Sequence, residues 1–147
     1  MTYICTNLPT TMHYLEKELL QERISDLEFF HKVNQSSFDG IWFWNLENPE
    51  DEWMDEVFWK TLGYDPSDKK HSPNEWQTII HPDDKAEALK LIEKHLKNPS
   101  IPYRQLIRYR HAEGHWVFIR CSGMALTNSE GKYDRMFGVH VDVTSQM

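Results

Sequence analysis

The last third of the chain, Tyr103 to Thr144, most constrains what it can fold into. It reads as three consecutive strands joined by two tight turns. Tyr103 to His111 alternates, with Gln105, Ile107 and Tyr109 on one face and Arg104, Leu106, Arg108 and Arg110 on the other. Glu113-Gly114 supplies the first turn, because glycine takes a positive φ without steric cost. His115 to Leu126 is a long second strand, rich in the β-branched and aromatic residues that suit a pleated surface. Asn128-Ser129-Glu130-Gly131 is the second turn, and Tyr133 to Val143 the third strand. A meander of this length needs a layer over one of its faces.

The preceding segment can supply that layer. Phe38 to Leu46 reads as a strand and Glu52-Trp53-Met54 as a short second one. Several helix starts follow. Asp55 is an N-cap with Gly63 as the matching C′ residue. Asp65-Pro66 places proline at N1 behind an acidic cap. Ser72-Pro73-Asn74-Glu75 fits a capping box. His81-Pro82-Asp83-Asp84 opens the longest helix, running to about Lys97, with acids in its first turn where the helix dipole favours them. Ala88, Leu89, Leu91, Ile92, His95 and Leu96 form its apolar side. Upstream, residues 1–11 carry no periodicity and read as a tail. Residues 12–35 read as one helix, with Leu20, Ile24, Leu27 and Phe30 spaced by three and four. Two roles stay open for it, a dimerising helix or a cap folded onto its own sheet.

Composition excludes several classes. The 147 residues suit one domain with a real core. A net charge of -7 argues against a nucleic-acid surface. The start lacks the basic and apolar regions of a signal peptide, and no apolar run is long enough to span a bilayer. The expected location is therefore cytoplasmic, with no direct membrane contact, although a parent protein could still be membrane-attached. Cys5 and Cys121 have no metal-ligand spacing, and no disulfide between them is expected. Aromatics form 13% of the chain, six of them Trp, which implies a bulky core, an aromatic-lined pocket, or both.

Arg108, Glu113-Gly114, Trp116-Val117, Gly131, Gly138 and Asp142-Val143-Thr144 together resemble the C-terminal half of a PAS domain, the part often called PAC. Gly40-Ile41-Trp42-Phe43-Trp44-Asn45 resembles its opening strand. Phe58 to Tyr64 resembles the helix ending in Leu-Gly-Tyr. Trp76 with Ile80-His81-Pro82-Asp83-Asp84 resembles the Trp…His-Pro-Asp-Asp segment of one large subgroup. The resemblance covers residues 36–144 and implies an α/β fold of the α+β kind. Its sheet would be five-stranded and antiparallel, in the order 2-1-5-4-3, with short helices on one face and a flanking N-terminal helix. It also implies a sensor domain that passes a signal from a small molecule or a partner to an effector, such as a histidine kinase or a diguanylate cyclase. Asp142 and Thr144 would mark the signal exit, and residues 145–147 the start of a truncated linker. The expectation is a homodimeric, non-catalytic piece of a longer signalling protein, with Leu20, Ile24 and Leu27 in the dimer helix. The alternative is a ligand-free interaction module whose task is homodimerisation.

The resemblance implies a cavity between sheet and helices. Its candidate lining is Trp42, Trp44, Phe58, Leu62, Trp76, Ile80, Leu89, Ile107, Tyr109 and His140. The two Trp residues could equally fill that space. His140 matches a position where light-sensing members carry a ligand-contacting Gln; it is a ligand contact or a satisfied core histidine. Haem-binding members use a His on the long helix, and the corresponding residue here is Leu89, so haem is not expected. The Asn-Cys-Arg-Phe-Leu motif of flavin-adduct members is absent, and no Cys lies between Trp42 and Lys97. A covalent flavin adduct is thereby excluded, while non-covalent flavin or a small metabolite stays open. Asp83-Asp84 beside His81 reads as helix-terminal chemistry rather than catalysis. His111 and His115 are four apart across a turn and read as a surface pair, so no metal site is expected. The inward face of the second strand, and hence the direction of Arg120, stays open.

Overall fold

The structure is a computed structural model that describes residues 12–22 and 38–147. It divides into two units, residues 1–37 and residues 38–147. In the first, helix α1 spans Tyr14–Glu22, with Leu15 and Leu19 one turn apart. The Leu15 N–H donates to His13 Nδ1 at 3.2 Å and so closes the first turn. Leu20 lies on this helix, whereas Ile24 and Leu27 fall outside the described residues.

The second unit is built on five strands, β1 (Ile41–Asn45), β2 (Glu52–Met54), β3 (Tyr103–Arg110), β4 (Trp116–Thr127) and β5 (Tyr133–Asp142). They form one antiparallel sheet in the order 2-1-5-4-3. Helices α2 (Glu56–Thr61), α3 (Pro73–Gln77) and α4 (Pro82–Lys97) lie between β2 and β3 in sequence. Single-turn 3-10 helices occupy Pro66–Asp68 and Thr144–Gln146.

The caps show why the helices start where they do. Asp55 accepts the Phe58 N–H at 3.2 Å, and Asp65 accepts that of Ser67 at 3.0 Å. His81 Nδ1 accepts the Asp83 N–H at 3.1 Å. The capping box expected at Ser72 does not form. Ser72 makes no side-chain cap bond, and Glu75 turns instead towards Lys69 at 3.7 Å. One bond set pins α4 to the sheet. Asp84 Oδ2 accepts the Arg108 backbone N–H at 2.7 Å and Nε at 2.9 Å, while Oδ1 accepts Nη2 at 2.8 Å. This bidentate pair holds the Asp84 carboxyl below the usual carboxylate range.

The strand register settles the faces. Ile119, Cys121, Gly123 and Ala125 of β4 face the helices, together with Gln105, Ile107 and Tyr109 of β3. Arg120 lies on the opposite face and is exposed. The core clusters on the inner face around Trp42, Phe58, Trp59, Leu62, Trp76, Ile107, Ile119 and Met136.

Candidate functional site

The inner face is organised by one row of residues across four strands. Trp42 of β1 pairs with Gly138 of β5, Gly138 with Gly123 of β4, and Gly123 with Tyr103 of β3. The two glycines leave a trough, and the Trp42 indole lies in it. A Cβ at Gly138 would come within 2.0 Å of Trp42 Cζ2, and one at Gly123 within 2.5 Å of Cη2. The far end of the indole meets Tyr103 edge-on, with centroids 6.3 Å apart. Glycine is therefore required at both positions by close approach.

A cavity of about 20 Å³ remains beside this indole. That is room for a water molecule or two. Of the ten lining candidates, Trp42, Trp44, Trp76, Ile107, Tyr109 and His140 line it. Phe58, Leu62 and Ile80 lie in the surrounding core without forming its wall. Leu89 requires correction. It is 46% exposed, on the solvent side of α4. Ala88, Ile92 and His95 supply the buried stripe of that helix, and Leu96 is exposed as well. Apolar residues cover more than one face of α4, so spacing alone could not say which face turns inward.

Five lining residues fall outside the ten candidates: Glu52, Met54, Ile92, Tyr103 and Cys121. Glu52 is the most consequential. Its carboxylate is buried on β2 and accepts the Trp76 indole N–H at 2.7 Å. Burial pushes its pKa up to about 7, against the partial opposition of that hydrogen bond. Its position inside an apolar strand, Glu52-Trp53-Met54, was the available signal. Burial also pushes the Cys121 thiol up to about 12, so it is an inert core group. Tyr103 donates to Gln105 Oε1 at 3.0 Å, and Gln105 Nε2 donates to the Asp84 carbonyl at 2.9 Å.

His140 closes the other end. Its ring stacks on Phe58 with centroids 4.3 Å apart and is buried. Nδ1 has no hydrogen-bond partner. Burial lowers its pKa to about 3, so the ring is neutral at physiological pH. Its backbone joins the start of the unit to its end. The His140 N–H donates to Gly40 O at 2.8 Å, and the Asp39 N–H donates to His140 O at 2.8 Å. Asp39 Oδ2 in turn accepts the Asp142 N–H at 2.7 Å. Asp142 Oδ1 accepts both the N–H and the hydroxyl of Thr144, whose Oγ1 accepts the Phe118 N–H at 3.0 Å. The two exit candidates are thus stitched to β4 and to the segment that leads into β1.

His95 bridges two backbone groups. Nε2 accepts the Ala125 N–H at 3.0 Å, and Nδ1 donates to the Ile101 carbonyl. Its partners are a loop and a strand rather than the carbonyls at the end of its own helix.

Comparison with known proteins agrees with this geometry. The profile of the family described as PAS fold matches residues 52–140, more than half of the chain. The chain belongs to this family, whose members are sensory domains of signalling proteins. A sensory box histidine kinase/response regulator from Burkholderia thailandensis E264 is similar at 32% identity and a TM-score of 0.63, over 81% of this chain and 86% of that one. The N-terminal domain of a diguanylate cyclase with PAS/PAC sensor from Marinobacter aquaeolei has the same fold. Its TM-score is 0.63 at 20% identity, over 73% of this chain and 96% of that one. The probable diguanylate cyclase DgcE of Escherichia coli (strain K12) is 27% identical over an alignment of 134 residues that covers 84% of this chain and 12% of that protein. The chain therefore spans about an eighth of that relative's length. Among the described residues no helix is long and apolar enough to cross a membrane.

Proposed function

We propose that this domain senses a small polar molecule in the cavity beside Trp42 and relays the event to an effector such as a histidine kinase or a diguanylate cyclase. One observation carries the reading. His140 lines the cavity and carries a buried Nδ1 that lacks a hydrogen-bond partner. It does so on the strand whose neighbours tie Asp39 to Asp142 and Thr144. A buried polar atom without a partner costs about 1–3 kcal/mol, and a ligand that supplies the partner recovers it. A donor placed at Nδ1 shifts His140 and, through it, both ends of the unit. At about 20 Å³ the space is far below the several hundred Å³ of ordinary cofactor sites. Any ligand larger than a water molecule or two therefore requires Trp42 to leave its trough, which favours a small metabolite over haem or non-covalent flavin.

A second reading has its own support. Trp42 fills the trough, which leaves little room for a ligand. Such a domain would act as a ligand-free homodimerising module. Native mass spectrometry with an absorption spectrum on the same sample separates the two. A retained adduct above the chain mass supports the sensor. A clean mass of two bare chains, with no chromophore, supports the module.

A further inference from the structure

We propose that the β3–β4 turn is a binding site for a divalent transition-metal ion of the Zn²⁺ type, with His111, Glu113 and His115 as ligands. The site lies apart from the cavity and does not depend on the sensor reading.

The turn sets the register of the two imidazoles. The His111 N–H donates to His115 O at 2.7 Å, and the Gly114 N–H donates to His111 O at 2.8 Å. Gly114 takes φ +99°, which lets three residues close the loop. His111 and His115 therefore face each other as the pair that closes the turn. Their rings stack with centroids 4.3 Å apart and planes 17° from parallel. Ligand atoms of His111, Glu113 and His115 all lie within 4.8 Å of one another. Around a shared zinc ion such atoms sit about 3–3.5 Å apart, given metal–ligand bonds near 2.0–2.2 Å. The remaining closure is small, and Glu113 and His115 are exposed.

The tip of the turn is anchored. The Ala112 N–H donates to Leu62 O at 2.9 Å. A Cβ on Gly63 would meet His111 Cε1 at 2.4 Å, so the imidazole sits directly on that glycine. The adjacent cation, Arg110, is held over the Trp116 ring at 4.8 Å. Two imidazoles and a carboxylate suit a borderline ion and leave a coordination position open. Binding has one visible cost. Glu113 N–H donates to His111 Nδ1 at 3.0 Å, so the neutral ring carries its proton on Nε2. A metal at Nε2 needs the Nδ1–H tautomer, and this hydrogen bond is then exchanged for the ion.

The test is calorimetric titration of the full, tag-free chain with ZnCl₂ alone, near neutral pH. One saturable site per chain is expected, with a Kd of roughly micromolar order. His115→Ala should weaken it at least about tenfold, and Glu113→Gln by a smaller factor. Both positions are exposed, so folding is not at issue. The proposal is overturned if no saturable binding occurs up to millimolar Zn²⁺, or if the variant that combines His115→Ala with Glu113→Gln keeps the wild-type affinity.

Discussion

At position 95 an imidazole takes the place of a strand. β3 begins only at Tyr103, opposite Gly123, so the Ala125 N–H, two residues further along β4, finds no β3 carbonyl. His95 Nε2 accepts it at 3.0 Å, which leaves Nδ1 protonated to donate to Ile101 O. Both ring nitrogens are used and the tautomer is fixed. His95→Phe fills the volume but orphans a buried N–H and a carbonyl. It should cost about 2–4 kcal/mol, read as a fall in the urea midpoint. His95→Gln keeps a donor and an acceptor and should recover part of that loss; equal losses in both variants would refute the bridge. The sequence placed His95 on the apolar side of a helix but not against β4, because periodicity reports a face and not its partner. Asp84 was hidden in the same way. As one of two acids at a helix start it needed no further explanation, yet it grips Arg108 from 24 residues away.

Among the elements, the sheet was legible and the trough that holds Trp42 was not. Alternation and turn glycines mark β3, β4 and β5 to within a residue or two, since a strand's side-chain period is a local property. The trough is not local. It needs Trp42, Gly138 and Gly123 in one row, and register sets that row. Spacing cannot show which strand glycines a ring will cover. Gly123→Ala should therefore be costly, because its Cβ would lie 2.5 Å from the Trp42 ring and 2.9 Å from Phe137 O. A loss of about 2–4 kcal/mol is expected from overpacking at this site. Trp42→Leu removes the ring contact and leaves the carbonyl contact. In a double-mutant cycle the two substitutions should couple by at least about 1 kcal/mol. Additive losses would mean that the indole does not lie in the trough.

For the whole molecule, Glu52 and His140 line one cavity and push stability in opposite directions with pH. The folded state raises Glu52 from 4.5 to about 7, so between these values it holds a proton that the unfolded chain has released. This contribution is fully present below pH 4.5 and is lost as pH rises through 7. The folded state lowers His140 from 6.5 to about 3, so there the unfolded chain holds the extra proton. That contribution is present above pH 6.5 and is lost as pH falls through 3. Both groups are buried, and each effect is on the order of a few kcal/mol. Where the windows overlap, from 4.5 to 6.5, the slopes oppose one another and largely cancel. Single variants should uncover them. Glu52→Gln keeps an acceptor for Trp76 and leaves His140 unopposed, so its stability should climb with pH more steeply than that of the wild type. His140→Gln leaves Glu52 unopposed, and its stability should decline with pH relative to the wild type. Urea midpoints at about pH 5 and pH 7 decide the matter, with the difference from wild type removing the background of other carboxylates. Parallel curves for all three proteins would show that neither group is held away from its ordinary protonation. Curves that diverge in opposite directions would show that the cavity stores two opposed proton equilibria, either of which a polar ligand beside Trp42 could shift.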